Sequence, residues 1–136
     1  MKKRVLVVDD EPDLTFMVNL ALEQTGDFDV KEINEADSAL SAARQFHPDL
    51  IILDVMMPGM DGGDVAQELA ADPHLKHVPI VFLTATVQKG EVDKGGGMIA
   101  GRQFLPKPLE IDDLIGCVRR MTNENPAGTG EASPPC

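Results

Sequence analysis

Short apolar runs alternate with longer amphipathic segments along the chain, and this alternation predicts five strands and five helices. The runs are rich in Val, Ile and Leu and are too short for helices, so they are assigned to strands. Apolar residues at helical spacing between the runs predict the helices, and Pro12 suits the first turn of the first one. The predicted strands cover residues 4–8, 28–33, 49–54, 79–84 and about 102–105.

The order of these elements predicts the fold class. Strands separated by helices of this length pair in parallel through right-handed crossovers. Apolar strands without alternation indicate a sheet that is covered on both faces. Residues 28–33 do alternate and are more polar, so this strand is expected at a sheet edge. The prediction is an α/β fold: a three-layer, doubly wound, five-stranded parallel sheet in the flavodoxin-like order 2-1-3-4-5.

Polar side chains stand where four of the predicted strands end. Asp9 and Asp10 follow the first strand, Asp54 ends the third, Thr84 ends the fourth, and Lys107 follows the fifth. Sheets of this kind place their sites at the carboxyl ends of the strands, so these five residues are expected to converge. Clustered carboxylates favour Mg²⁺, which keeps several waters and accepts phosphate oxygens. The set therefore predicts phosphoryl transfer, with Asp54 attacking phosphorus to form an acyl phosphate.

The composition narrows the classes of partner. The net charge is −11, with 23 acidic against 12 basic residues, and Trp and Tyr are absent. Such a surface repels nucleic acid and anionic membranes, and it lacks the aromatic residues on which bases stack. No apolar run approaches the roughly 20 residues of a membrane span, and the N-terminus lacks a signal-peptide core. We therefore expect a cytoplasmic protein without direct nucleic-acid or membrane binding.

Four stretches in order resemble the receiver domain of two-component response regulators. They are residues 7–12, 49–62, 78–85 and 104–108, within a resemblance that covers about residues 3–121. The resemblance implies that a sensor histidine kinase or a phosphotransfer protein delivers a phosphoryl group to Asp54. It also implies a Mg²⁺ site in which Asp10 binds directly, Asp9 more often through water, and the Met56 carbonyl completes the protein ligands together with Asp54.

The resemblance assigns further roles at the ends of the last two strands. Thr84 and Lys107 would contact the phosphoryl group, and Phe104 matches the aromatic residue whose rotamer follows Thr84 on activation. The implied function is a signalling switch in which phosphorylation alters a surface that binds a downstream protein target. Beyond self-phosphorylation and slow autodephosphorylation, no enzymatic turnover is implied.

Simpler and rival interpretations remain beside this one. Asp9 or Asp10 could cap the first helix, and Phe104 could serve only as a core residue. An aspartyl-nucleophile phosphatase would have the same metal, but it needs a second acid two residues after the nucleophile, where this chain has Met56. A degenerate receiver that acts without phosphorylation is a further alternative, although the complete acid, hydroxyl and lysine set argues against it.

Two segments depart from the predicted domain pattern. The fourth helix, over about residues 88–98, contains Gly90 and three consecutive glycines at 95–97. Each interior glycine costs about 1 kcal/mol relative to Ala, so this helix is expected to be short, frayed or displaced. Residues 122–136 are rich in Pro, Gly and Ser, which predicts a disordered tail after a receiver domain over residues 1–121.

Overall fold

A computed structural model describes residues 2–54, 56–57, 60–84, 98–99, 102–106 and 109–122. Within these residues the chain alternates strands and helices, as the apolar pattern predicts. The strands are β1 (Lys3–Val8), β2 (Phe28–Ile33), β3 (Leu50–Asp54), β4 (Met56–Met57), β5 (Met60–Asp61), β6 (Ile80–Thr84), β7 (Met98–Ile99) and β8 (Arg102–Pro106). The helices are α1 (Pro12–Gln24), α2 (Ala39–Phe46), α3 (Gly62–Ala71) and α4 (Ile111–Thr122).

The main sheet has the strand order β2-β1-β3-β6-β8-β7. The pairings from β2 to β8 are all parallel, so the five long strands follow the predicted order 2-1-3-4-5. β2 lies at one edge, as its more polar sequence indicates. The described residues add a feature that the pattern misses, because the two-residue strand β7 pairs antiparallel with β8. Two residues are too few to show a periodicity, so such a strand leaves no signal in the sequence.

The segment after β3 contains a second small element that the apolar pattern does not predict. It forms an antiparallel ribbon in which β4 pairs with β5, Met56 opposite Asp61 and Met57 opposite Met60. Residues 58–59, between these strands, lie outside the described residues. The ribbon leads directly into α3.

The core lies on both faces of the sheet. Side chains alternate along a strand, so Val5 and Val7 pack on the face covered by α1 and α4, while Leu6 and Val8 pack on the face covered by α2 and α3. All four side chains are fully buried. This arrangement explains why the central strands are continuously apolar and confirms the three-layer prediction.

The helix ends agree with the local chemistry of the sequence. Pro12 occupies the first turn of α1. α2 ends at Phe46, and its C-cap residue His47 has a left-handed backbone with a φ of 56°, followed by Pro48. α4 extends to Thr122, whose hydroxyl donates to the Val118 carbonyl over 2.7 Å, one residue into the predicted tail. Residues 123–136, and residues 88–97 of the predicted glycine-rich helix, lie outside the described residues; Met98 begins β7.

A buried carboxylate joins α2 to the turn that follows α3. The Arg44 guanidinium donates from Nε to Oδ2 of Asp72 over 2.6 Å, and the His74 backbone N–H donates to Oδ1 over 2.8 Å. The Asp72 side chain is only 2% exposed, whereas that of Arg44 is 58% exposed. These hydrogen bonds, led by the one from Arg44, lower the pKa of Asp72 below its ordinary value of 3.8.

This lowered pKa predicts how stability depends on pH. The folded protein favours the ionised form of Asp72 more than the unfolded chain does. The contribution of Asp72 to the free energy of unfolding is therefore complete above pH 3.8 and is lost as the pH falls through the lower pKa of the folded state. Asp72→Asn is therefore expected to lower the free energy of unfolding at pH 7, by a margin that shrinks toward pH 3. Urea unfolding at pH 7, 5 and 3 measures it. Asp29→Asn is the control, because that carboxylate also pairs with a cation, at 3.8 Å from Lys2, but is exposed to solvent. A loss of stability in Asp72→Asn that does not depend on pH would contradict the prediction.

The described residues include no helix long and apolar enough to cross a lipid bilayer.

Candidate functional site

The strand register brings the predicted residues to one edge of the sheet. Val8 of β1 pairs with Leu53 of β3, so Asp9, which follows β1, and Asp54, the last residue of β3, lie next to each other. On the other flank Asp54 pairs with Leu83 of β6. The predicted convergence at the carboxyl ends of the strands is therefore present for the central strands.

Three carboxylates meet at this edge. One oxygen from each of Asp9, Asp10 and Asp54 lies within 4.8 Å of the other two. Asp9 is fully buried, Asp54 is 3% exposed, and Asp10 faces solvent. Three negative charges at this spacing repel one another, and oxygen ligands of this kind suit a hard cation such as Mg²⁺. The donor set therefore fits the predicted metal, with one ligand open to water.

Asp9, in the loop between β1 and α1, is held by hydrogen bonds through its backbone and its side chain. Its backbone N–H donates to the Ile33 carbonyl over 3.0 Å, and its Oδ1 accepts the Glu11 N–H over 2.9 Å. Glu11 is the N-cap residue of α1, and α1 has no side-chain capping hydrogen bond at this position. The interpretation of Asp9 or Asp10 as a helix cap is thus wrong: Asp9 closes a turn ahead of the helix.

Polar residues behind this loop are not predicted by the sequence pattern. Asn34, just after β2, donates from Nδ2 to the Asp9 carbonyl over 2.8 Å and to Oγ1 of Thr15 over 3.0 Å. Thr15 is fully buried although it lies among the helical residues of α1. A buried polar residue one turn into an amphipathic helix is a weak signal, and the sequence offers no sign that it meets Asn34.

The remaining predicted residues are placed by their backbone or lie outside the described part. Thr84 ends β6, one residue beyond the partner of Asp54, and pairs with Pro106 of β8. Phe104 pairs with Phe82 in the same sheet. Met56 opens β4, two residues after Asp54. Lys107 lies outside the described residues, directly after β8.

Comparison with known proteins identifies one family by its sequence model and its curated relatives. The family model described as "Response regulator receiver domain" matches residues 5–119. Among curated proteins, the chain is 40% identical over 126 residues to the DNA-binding response regulator MtrA of Mycolicibacterium smegmatis, covering 92% of this chain and 53% of that protein. It is 38% identical to the response regulator PleD of Caulobacter vibrioides, covering 90% of this chain and 26% of that protein.

Solved structures share the fold over most of their length. The chemotaxis protein CheY4 of Vibrio cholerae superposes with a TM-score of 0.77 at 27% identity, covering 89% of this chain and 99% of that one. The receiver domain of the Francisella response regulator 1452 gives a TM-score of 0.75 at 26% identity, covering 89% of this chain and 97% of that one. The chain thus matches receiver structures nearly end to end, whereas it spans about half the length of MtrA.

Proposed function

Because the chain belongs to the response regulator receiver family, we propose that Asp54 accepts a phosphoryl group from a histidine kinase or a phosphotransfer protein with the help of Mg²⁺. A receiver domain is a signalling switch of two-component systems rather than an enzyme, and it implies a histidine kinase as a partner. The observation that carries the proposal is the cluster of Asp9, Asp10 and Asp54 at the carboxyl edge of the sheet.

The position of Asp54 suits nucleophilic attack. Its carboxylate ends the central strand β3 and is almost fully buried, while Asp10 beside it opens the site to solvent. In the proposed step an Oδ atom of Asp54 attacks phosphorus as the bond from phosphorus to the donor histidine nitrogen breaks. That nitrogen leaves with the electron pair and takes up a proton, and Asp54 carries an acyl phosphate.

The other site residues have distinct parts in the proposal. Asp10, Asp9, Asp54 and the Met56 carbonyl would hold Mg²⁺, which when bound neutralises charge on the phosphoryl oxygens. Thr84 and Lys107 would contact those oxygens, as the order of β6 and β8 in the sheet supports.

The proposed output is a change in a protein-binding surface. The new charge on Asp54 would draw Thr84 and Lys107 toward it, and Phe104 would follow Thr84, so that two conformations of one surface are exchanged. MtrA is named as a DNA-binding regulator, but this chain covers 53% of it and carries a net charge of −11. Direct DNA contact is therefore not assigned to this chain. A receiver domain over residues 1–121, to which the structure adds Thr122 at the end of α4, and a cytoplasmic location complete the proposal.

Labelling by a small phosphodonor tests this function. The wild-type chain incubated with phosphoramidate and Mg²⁺ is expected to gain the mass of one phosphoryl group, as an adduct that is stable in acid and labile in alkali. Replacing Mg²⁺ with EDTA is expected to suppress labelling about tenfold or more, because the metal charge that would neutralise the phosphoryl oxygens beside the three carboxylates is then removed. Absence of an adduct with Mg²⁺ would reject the proposal.

A further inference from the structure

A hydrogen-bonded clamp lies behind the acidic loop, which is the segment between β1 and α1 that carries Asp9 and Asp10. The clamp is formed by Asn34, Thr15 and Glu32, which are outside the proposed site. Asn34 follows β2, Thr15 is in α1, and Glu32 is in β2. Asn34 bonds both to the Asp9 carbonyl and to Thr15 Oγ1, so it bridges the end of β1 and the start of α1. The loop that it spans carries two of the three clustered carboxylates.

The clamp acts on a particular peptide group. The Asp9 carbonyl belongs to the planar peptide from which Asp10 continues, so a bond to that oxygen fixes the plane and the direction in which Asp10 leaves it. The peptide group before Asp9 is fixed as well, because the Asp9 N–H donates to the Ile33 carbonyl over 3.0 Å. Asp9 Oδ1 reaches across Asp10 to the Glu11 N–H. The exposed Asp10 is therefore aimed by bonds made to its neighbours.

The direction of the hydrogen bonds makes Asn34 specific. A backbone carbonyl only accepts, so Asn34 must present its amide nitrogen to Asp9, and the same nitrogen supplies the second proton to Thr15. The Thr15 hydroxyl has one proton, which is shared between Glu32 Oε1 and the Pro12 carbonyl, each at 3.1 Å. Glu32 Oε2 is held by Asn19 Nδ2 over 2.7 Å. Thr15 is thereby oriented to accept from Asn34.

We propose that Asn34, supported by Thr15 and Glu32, is a positioning residue that sets Mg²⁺ affinity by fixing the Asp9–Asp10 peptide. This inference rests on the proposed function, since it concerns the same metal. Outer partners that orient metal ligands typically contribute about 10–100-fold to metal affinity. Asn34 acts through a ligand's backbone, so the lower end of that range applies.

Calorimetric titration of the intact chain with Mg²⁺ tests the clamp. Asn34→Ala is expected to weaken Mg²⁺ binding about tenfold. Thr15→Val keeps the size and packing of the buried residue but loses the hydroxyl, so it should weaken binding severalfold, while Thr15→Ser restores the hydroxyl and the wild-type affinity. Thr25→Val is the matched control, because it removes a threonine hydroxyl that donates to the Leu22 carbonyl over 2.7 Å at the far end of α1 and leaves every bond to the loop.

Unfolding in EDTA separates positioning from ordinary stabilisation. A merely structural role would lower the melting temperature of Asn34→Ala and leave its dissociation constant for Mg²⁺ within twofold of wild type, which would overturn the inference. Equal Mg²⁺ affinities for Thr15→Val and Thr15→Ser would overturn it as well. Failure of the wild-type chain to bind Mg²⁺ would overturn both the clamp and the proposed metal site, whereas normal wild-type binding with an unaffected Asn34→Ala removes the clamp alone.

Discussion

Asp54→Asn is expected to reduce phosphoryl labelling by phosphoramidate to background, a loss of at least about a hundredfold. The amide has nearly the size of the carboxylate, so the buried end of β3 should keep its packing while losing its nucleophile. Asp9 is not expected to replace it as the nucleophile, because one of its oxygens accepts the Glu11 N–H. Intact-mass analysis after acid quench, followed by peptide mapping of the adduct, measures the result.

A matched control separates the nucleophile from the local charge. Asp13 is an exposed acid in the first turn of α1, close in sequence to the acidic loop but outside the cluster. Asp13→Asn removes the same charge and is expected to label like the wild type. An adduct on Asp54→Asn equal to that on the wild type would place the phosphoryl group on another residue and contradict the assignment of Asp54.

The sequence predicts the site edge because the relevant signals are local. Runs such as Leu50 to Leu53 are apolar without alternation, which only a strand covered on both faces explains. Once the strands are parallel, the residues that end them must share an edge, so Asp9 and Asp54 can be paired without knowledge of the register. The observed pairing of Val8 with Leu53 brings Asp9 and Asp54 to this shared edge.

Contacts between distant segments leave no such signal. Asn34 and Thr15 meet only because the end of β2 and the first turns of α1 pack together, 19 residues apart in sequence. Arg44 and Asp72 are 28 residues apart, and Asp72 looks like an ordinary helix terminator before Pro73. Hydrophobic patterning predicts which elements pack together, but it does not predict which polar side chains satisfy one another inside them.

Mg²⁺ is expected to reverse the stability order of the wild type and Asp10→Asn. Without metal, the three clustered carboxylates repel one another, and removing one charge relieves two of the three pairwise terms. At 4.8 Å each term is about 1 kcal/mol in a water-like dielectric, and Asp10 is exposed, so salt screens it further. In EDTA, Asp10→Asn should therefore be more stable than the wild type by about 1 kcal/mol.

With metal the balance changes, because a ligand that binds only the folded state stabilises it. At a Mg²⁺ concentration about one hundred times the dissociation constant, the wild type gains about 2.7 kcal/mol, while a chain that has lost a direct ligand gains far less. Urea unfolding in EDTA and in Mg²⁺ measures both arms, with Asp13→Asn as a control that should gain as much stability from Mg²⁺ as the wild type does. An Asp10→Asn chain that gains as much from Mg²⁺ as the wild type would remove Asp10 from the metal site, because relief of repulsion alone cannot make the two curves cross.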